Sequence, residues 1–183
     1  MTEKLHDFQV AFHTPPPETP TDGFVRKSRA LHLVSGVIAA AAIVAAVMCF
    51  VLGAARVSGN SMAPAYRDGT FVWFVRGGST FSRGTVVSVT MPSGDHYIKR
   101  VVAGPGDTVD IADGKLIVNG KTVDEPYARG RTERQADGLM VYPYKLPASK
   151  YFVLGDNRAH SADSRIFGPV SAAQIQGRIV STK

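Results

Sequence analysis

The hydroxyl of Ser61, in the stretch Val57-Ser58-Gly59-Asn60-Ser61-Met62-Ala63-Pro64, is the first group in this chain to weigh for chemistry. A serine hydroxyl is a weak nucleophile and needs a neighbouring base that takes its proton near neutral pH. Beyond residue 56 the histidine candidates are His96 and His160. No Gly-x-Ser-x-Gly elbow surrounds Ser61, yet a Ser/His/Asp triad stays open, because triad members are assembled by folding and not by spacing. The other candidate is Lys99, in Asp95-His96-Tyr97-Ile98-Lys99-Arg100-Val101-Val102. In an extended strand alternate side chains share a face, so Lys99 lies with Tyr97 and Val101. Burial there disfavours the ammonium and draws its pKa below the ordinary value of about 10.4, which leaves a neutral amine able to accept a proton. The opposite face, with Ile98, Arg100 and Val102, is also partly apolar, but a guanidinium stays charged and cannot act as a base. Composition alone favours a structural or solvated role for a strand lysine, since lysine is rarely buried.

Any chemistry at Ser61 stands close to a membrane in sequence. The run Leu33 to Ala55 carries no charge over 23 residues. At about 1.5 Å per helical residue it is long enough to cross a hydrocarbon core roughly 30 Å thick. The chain therefore divides into a disordered cytoplasmic tail with a basic flank (1–30), a transmembrane anchor (31–55) and an outer domain (56–183). In the tail, Thr14-Pro15-Pro16-Pro17-Glu18-Thr19-Pro20 has too few apolar side chains and amide donors for a packed core. Arg26, Lys27 and Arg29 precede the span while Arg56 stands alone after it, which puts the amino terminus in the cytoplasm. Gly53-Ala54-Ala55 would suit cleavage of a signal peptide, but apolar regions of such peptides run about 7–15 residues, and a retained anchor is expected. Cys49, the only cysteine, lies in the apolar run, so the outer domain has no disulfide or cysteine metal site.

The net charge of +6 lies wholly after the span, because the first thirty residues balance. Spread so diffusely, it reads first as solvated surface charge, then as attraction to anionic lipid, and not as the dense basic stripe of a nucleic-acid binder. After the span, short segments rich in Val, Ile, Phe and Tyr are divided by Gly, Pro, Asn and Asp, which predicts a mainly β domain. The expected strands are Thr70–Arg76, Thr85–Met91, His96–Ala103, Thr108–Ile111, Lys115–Val118, Thr122–Asp124, Tyr151–Leu154 and Gln176–Ser181. Asn119-Gly120 predicts a type I′ hairpin, which needs positive φ at both central positions. Residues 125–150 read as a long connection. Trp73 suits a lipid interface and a β core equally, while Met62, Phe71 and Phe74 suit the core.

Three segments then occur in order after the span. They are Ser58-Gly59-Asn60-Ser61-Met62-Ala63-Pro64, then Tyr97-Ile98-Lys99-Arg100-Val101-Val102-Ala103-Gly104-Pro105-Gly106-Asp107, then Gly155-Asp156-Asn157-Arg158-Ala159-His160-Ser161-Ala162-Asp163-Ser164-Arg165. Together they resemble the type I signal peptidases, from the anchor to about Val170. The resemblance implies a compact β-sheet catalytic domain on one amino-terminal transmembrane helix. It implies a membrane serine endopeptidase that removes signal peptides by a Ser/Lys dyad, cutting after small residues of Ala-x-Ala type. Carried over by motif, Ser61 matches the nucleophile and Lys99 the general base. Ser161 matches the hydroxyl that orients the amine, and Asp163 with Arg165 a supporting ion pair. Apart from the motif matches, Asp156, Asn157 and Arg158 are expected to brace the site through hydrogen bonds. The backbone N–H of Ser61 would stabilise the oxyanion. Gly59 occupies the place where one branch of the family carries a serine, a familiar variant that leaves the second oxyanion donor open.

The implied partners are secretory preproteins and membrane lipid, with the export translocon nearby. The implied place is the cytoplasmic membrane, with the catalytic part on the outer side. No cofactor, metal or nucleic acid is implied, and Asp156-Asn157-Arg158 does not follow a calcium-loop pattern. Two other readings remain. A self-cleaving repressor-type protease shares the dyad but would carry a DNA-binding module in place of the anchor. A non-catalytic anchored binding module would be expected to have lost Ser61 or Lys99.

Overall fold

A computed structural model of the chain describes residues 22–180. Of the expected disordered tail 1–30, residues 1–21 lie outside the described residues, as does the last residue of the expected strand Gln176–Ser181, while 22–30 are not irregular but form the first turns of a helix. Helix α1 (Asp22–Val51) contains the apolar stretch Leu31–Val51, with mean hydropathy 2.6 and no buried residue. The chain divides into two compact units after Val44, and every strand belongs to the second.

The helix stops before the uncharged run does. Leu52–Arg56 forms strand β1, antiparallel to β2 (Phe71–Arg76) in the register Leu52↔Val75 to Arg56↔Phe71. Apolar composition cannot separate the end of a helix from a paired strand; the partner decides. Gly53 lets the two approach, since a Cβ there would stand 2.2 Å from the Phe74 ring.

The remaining strands are β3 (Val86–Thr90), β4 (His96–Ala103), β5 (Thr108–Ala112), β6 (Lys115–Val118), β7 (Lys121–Thr122), β8 (Tyr144–Lys145), β9 (Lys150–Leu154), β10 (Val170–Ser171) and β11 (Ile175–Ile179). They form a seven-stranded sheet, β1-β2-β11-β3-β4-β9-β10, and a four-stranded sheet, β7-β6-β5-β8. The fold is mainly β, as the punctuation of the sequence predicts. Asn119 and Gly120 take φ of 53° and 75° in the β6–β7 hairpin, as a type I′ turn requires. The expected connection 125–150 is not wholly irregular, because Tyr144 pairs with Val109 across β8 and β5.

Strands β4 and β9 serve two cores by alternation. Val101, Tyr151 and Val153 pack with Val87, Val89, Phe81, Val170 and Ile175. Val102, Phe152 and Leu154 pack with Val109, Leu116, Val118 and Leu146. Burying each such side chain contributes about 1.5–3 kcal/mol. These two strands are thereby clamped from both faces; the middle of β4 carries Lys99 and Arg100, and Gly155 and Asp156 follow the end of β9.

At the crossing of β11 and β2 a Cβ on Gly177 would lie 2.0 Å from the carbonyl oxygen of Val75. The neighbour is backbone and cannot rotate away. Gly177→Ala should therefore destabilise the domain by about 1–3 kcal/mol, seen as a lower unfolding midpoint; an unchanged midpoint would mean that the two strands separate freely.

Candidate active site

Alternation on β4 sets Lys99 on the side of Val101, and its cross-strand partner is Val87 of β3. Only 3% of Lys99 is exposed. Its Nζ lies 2.8 Å from Oγ of Ser61 and 5.1 Å from the centre of the Tyr97 ring. Burial pulls the Lys99 pKa down to about 8, against the opposing pull of Asp163 and Asp156. A base so placed is half neutral at about pH 8, where an ordinary lysine is almost wholly protonated.

Ser61 lies on the loop between β1 and β2. Backbone turns from Ala63 N–H to the Asn60 carbonyl (3.1 Å) and from Tyr66 N–H to the Met62 carbonyl (2.9 Å) coil this loop, and the buried Met62 pins it. Asn157 fastens it from outside. The Asn157 backbone N–H donates to the Ser61 carbonyl at 2.9 Å, and its Nδ2 donates to the Asn60 carbonyl at 3.1 Å. Gly155, just beyond β9, passes beneath the serine; a Cβ there would sit 2.2 Å from Ser161 Oγ and 2.6 Å from the Ser61 carbonyl oxygen.

The two carboxylates that act on Lys99 are each bound by their own arginine. Asp156, fully buried, accepts two hydrogen bonds from Arg100 at 2.8 and 2.7 Å. Asp163, also fully buried, accepts from Arg165 at 2.8 and 2.9 Å and from the Gly155 N–H at 3.1 Å. It also caps the short helix α2 (Ser164–Phe167). Arg158, 2% exposed, is paired with Glu125 and donates to the Gly155 carbonyl and to Thr132. Such charges tolerate burial only because each is paired and hydrogen-bonded.

Ser61, Lys99, Asp156, Asn157, Asp163 and Arg165 are thus brought together. Ser161 arrives with them, but its buried hydroxyl makes no hydrogen bond among the described residues. Gly59, at φ 81°, commits its N–H to the Asp68 carboxylate at 2.8 Å. Neither histidine hydrogen-bonds to Ser61 among the described residues: the His96 ring lies 3.1 Å from Thr90 Oγ1, and His160 is exposed. Among those residues none gather as a set able to hold a metal ion.

A cavity of about 50 Å³ beside the Ser61–Lys99 pair is lined also by Ser58, Met62, Ser88, Tyr97 and Ile98. Ser88 was not anticipated, although a lone hydroxyl in Val86-Val87-Ser88-Val89 is a visible signal. Glu125, Thr132 and Asp68 gave none, because their partners are distant in sequence.

Residues 30–182 match the family model described as "Signal peptidase, peptidase S26". The chain belongs to the signal peptidase family. It is 39% identical over 152 residues to Signal peptidase I of Bacillus licheniformis, covering 76% of this chain and 80% of that one. It is 36% identical over 164 residues to Signal peptidase I S of Bacillus subtilis strain 168, covering 83% and 88%. A solved signal peptidase I from Enterococcus faecalis V583 is similar over 55% of this chain and 97% of its own, at 31% identity and a TM-score of 0.47.

In this family member the Asp163–Arg165 pair is a stability element whose loss can be measured. Asp163→Ala leaves the Arg165 guanidinium buried and unpaired, so unfolding of the detergent-solubilised full chain should cost about 3–5 kcal/mol less. Arg131→Ala, at an exposed pair with Glu133, should leave the midpoint in place. Equal effects of the two would contradict the burial argument.

Proposed function

We propose that Ser61 is the nucleophile and Lys99 the general base of a serine endopeptidase that removes signal peptides from secretory preproteins. The observation that carries this reading is the 2.8 Å contact between a serine hydroxyl and a lysine amine that burial holds near pKa 8. Neutral Lys99 takes the proton of Ser61 as Oγ attacks the scissile carbonyl carbon. The resulting ammonium then protonates the leaving amine as the C–N bond breaks, which leaves an ester on Ser61. Lys99 next takes a proton from water, whose oxygen attacks the ester carbonyl, and returns it to Ser61 as the ester bond breaks. The Ser61 N–H serves the oxyanion. Asp163 with Arg165, and Asp156 with Asn157, hold the pair in place, and Ser161 supplies a hydroxyl beside it.

The cavity of about 50 Å³ supports a small residue before the scissile bond. Its walls include Met62, Tyr97 and Ile98, so a methyl side chain suits this narrow space and a leucine overpacks it.

Residues 31–51 anchor the chain in the cytoplasmic membrane, with the part from Leu52 onward outside, near lipid and the export translocon; the expected anchor 31–55 is shortened because Leu52–Arg56 pairs with β2. Arg26, Lys27 and Arg29 on the amino side of the span support that orientation.

Ser61→Ala and Lys99→Ala should each lower kcat/KM for a preprotein about 10³-fold or more, and the double variant should be little worse, because the two act as a unit. Lys99→Arg should fail as well, its guanidinium remaining charged. With wild type, kcat/KM should rise with pH through a limb near 8, as the Lys99 ammonium loses its proton. Substantial turnover by folded Lys99→Ala, or a flat profile through that limb, would refute the dyad. For topology, protease added to sealed right-side-out vesicles should reach the part after Arg56 and spare the tail before Arg26; the reverse pattern would place the site in the wrong compartment.

A further inference from the structure

Two concavities meet at the loop that carries Ser61. Ser58, Ser61 and Met62 face the small cavity with Lys99. Asn60, Ala63 and Pro64, from the same loop, wall a groove of about 800 Å³ whose other sides carry Arg67, Arg129, Asn157 and His160. The loop is thus a partition, with Ser61 on the side of the small cavity and its neighbour Asn60 on the side of the groove.

No carboxylate lines the groove. Arg83, Arg100, Arg131, Arg134, Arg158 and Arg165 each have a carboxylate partner. Arg67 and Arg129, both exposed, have none among the described residues. The backbone at Arg129 is nevertheless held, since its N–H donates to the Asp156 carbonyl at 2.7 Å and its carbonyl accepts from the Arg158 N–H at 3.0 Å. Two uncompensated guanidiniums on a firm wall make a local positive field.

An extended peptide whose carbonyl meets Ser61 Oγ, with the preceding side chain in the small cavity, must continue over Asn60–Pro64. We propose that the groove receives the first residues after the scissile bond and that Arg67 and Arg129 favour carboxylate side chains there. The groove is a specificity site for the mature amino terminus of the substrate, and this rests on the reading of Ser61 as nucleophile. The wall shared with the Ser61 loop favours a peptide over an anionic lipid headgroup, which has the same charge but no reason to lie at the nucleophile.

The test uses the full chain in phosphatidylcholine vesicles, with and without phosphatidylglycerol. Its substrates are peptides of one sequence bearing Glu or Lys at the second and third positions after the bond. The quantity read is the ratio of kcat/KM for the Glu and Lys substrates within each enzyme. Wild type should prefer Glu about fivefold at low salt, as exposed charge pairs allow, and the preference should shrink in about 1 M salt. Arg67→Ala/Arg129→Ala should bring the ratio near unity, and Arg67→Glu/Arg129→Glu should invert it. Arg178→Ala, on β11, should leave it as in wild type. A wild-type ratio of one, or a preference surviving in the double Ala variant, would overturn the proposal. So would a preference present only with phosphatidylglycerol, which would mark the groove as a headgroup site. Cleavage that Ser61→Ala retains would remove the nucleophile reading itself, whereas Ser61-dependent cleavage blind to charge would remove only the groove.

Discussion

An amine held out of water at hydrogen-bond distance from a hydroxyl is the arrangement on which the rest of this site depends. Lys99 is nearly inaccessible, and the loss of hydration is the largest influence on its proton affinity. Two buried carboxylates, Asp163 and Asp156, act in the opposite sense. Were either free, it would favour the ammonium more strongly against the effect of burial. Each instead faces a bidentate arginine, so much of its field is already answered. The arginines are therefore part of the lysine's electrostatics without touching it.

The same pairs tie the site to the fold. Arg100 follows Lys99 on β4 and reaches Asp156, two residues beyond the end of β9. Arg158 reaches back to Glu125 and Thr132 in the connection between β7 and β8, and Arg165 donates to the Arg158 carbonyl at 2.8 Å. What reads as a loose segment is thus stitched to the strand ends by buried charge. Removing one partner leaves the other without solvent, so the network resists partial rearrangement. Asn157 extends it to the Ser61 loop by bonds to two successive carbonyls, Asn60 and Ser61. The positions of hydroxyl and amine are set by one connected system.

Much of this was legible beforehand. Ser61 and Lys99 stand in short motifs, and strand alternation groups Lys99 with Tyr97 and Val101. The Asn119-Gly120 turn followed from φ requirements alone. Other features left no local trace. The end of α1 at Val51 depends on β2 as a partner for Leu52–Arg56. Strands β8 and β10 are two residues long, too short for any periodicity, and exist because β5 and β9 offer edges. The resemblance that assigned Ser161 to orienting the lysine did not foretell that its hydroxyl would be buried without a hydrogen bond among the described residues.

By itself the sequence determined the kinds of groups available, the apolar span, the mainly β character and the faces of β4. These follow from residue type and from periods of 3.6 and 2, which need no knowledge of the rest of the chain. Tertiary structure alone decided that Lys99 meets Ser61 across 38 positions, and that Arg100 meets Asp156 across 56. It also decided that Arg67 and Arg129 border one groove. Distance, burial and proton affinity belong to neighbours in space, and a linear chain names its neighbours only once it has folded.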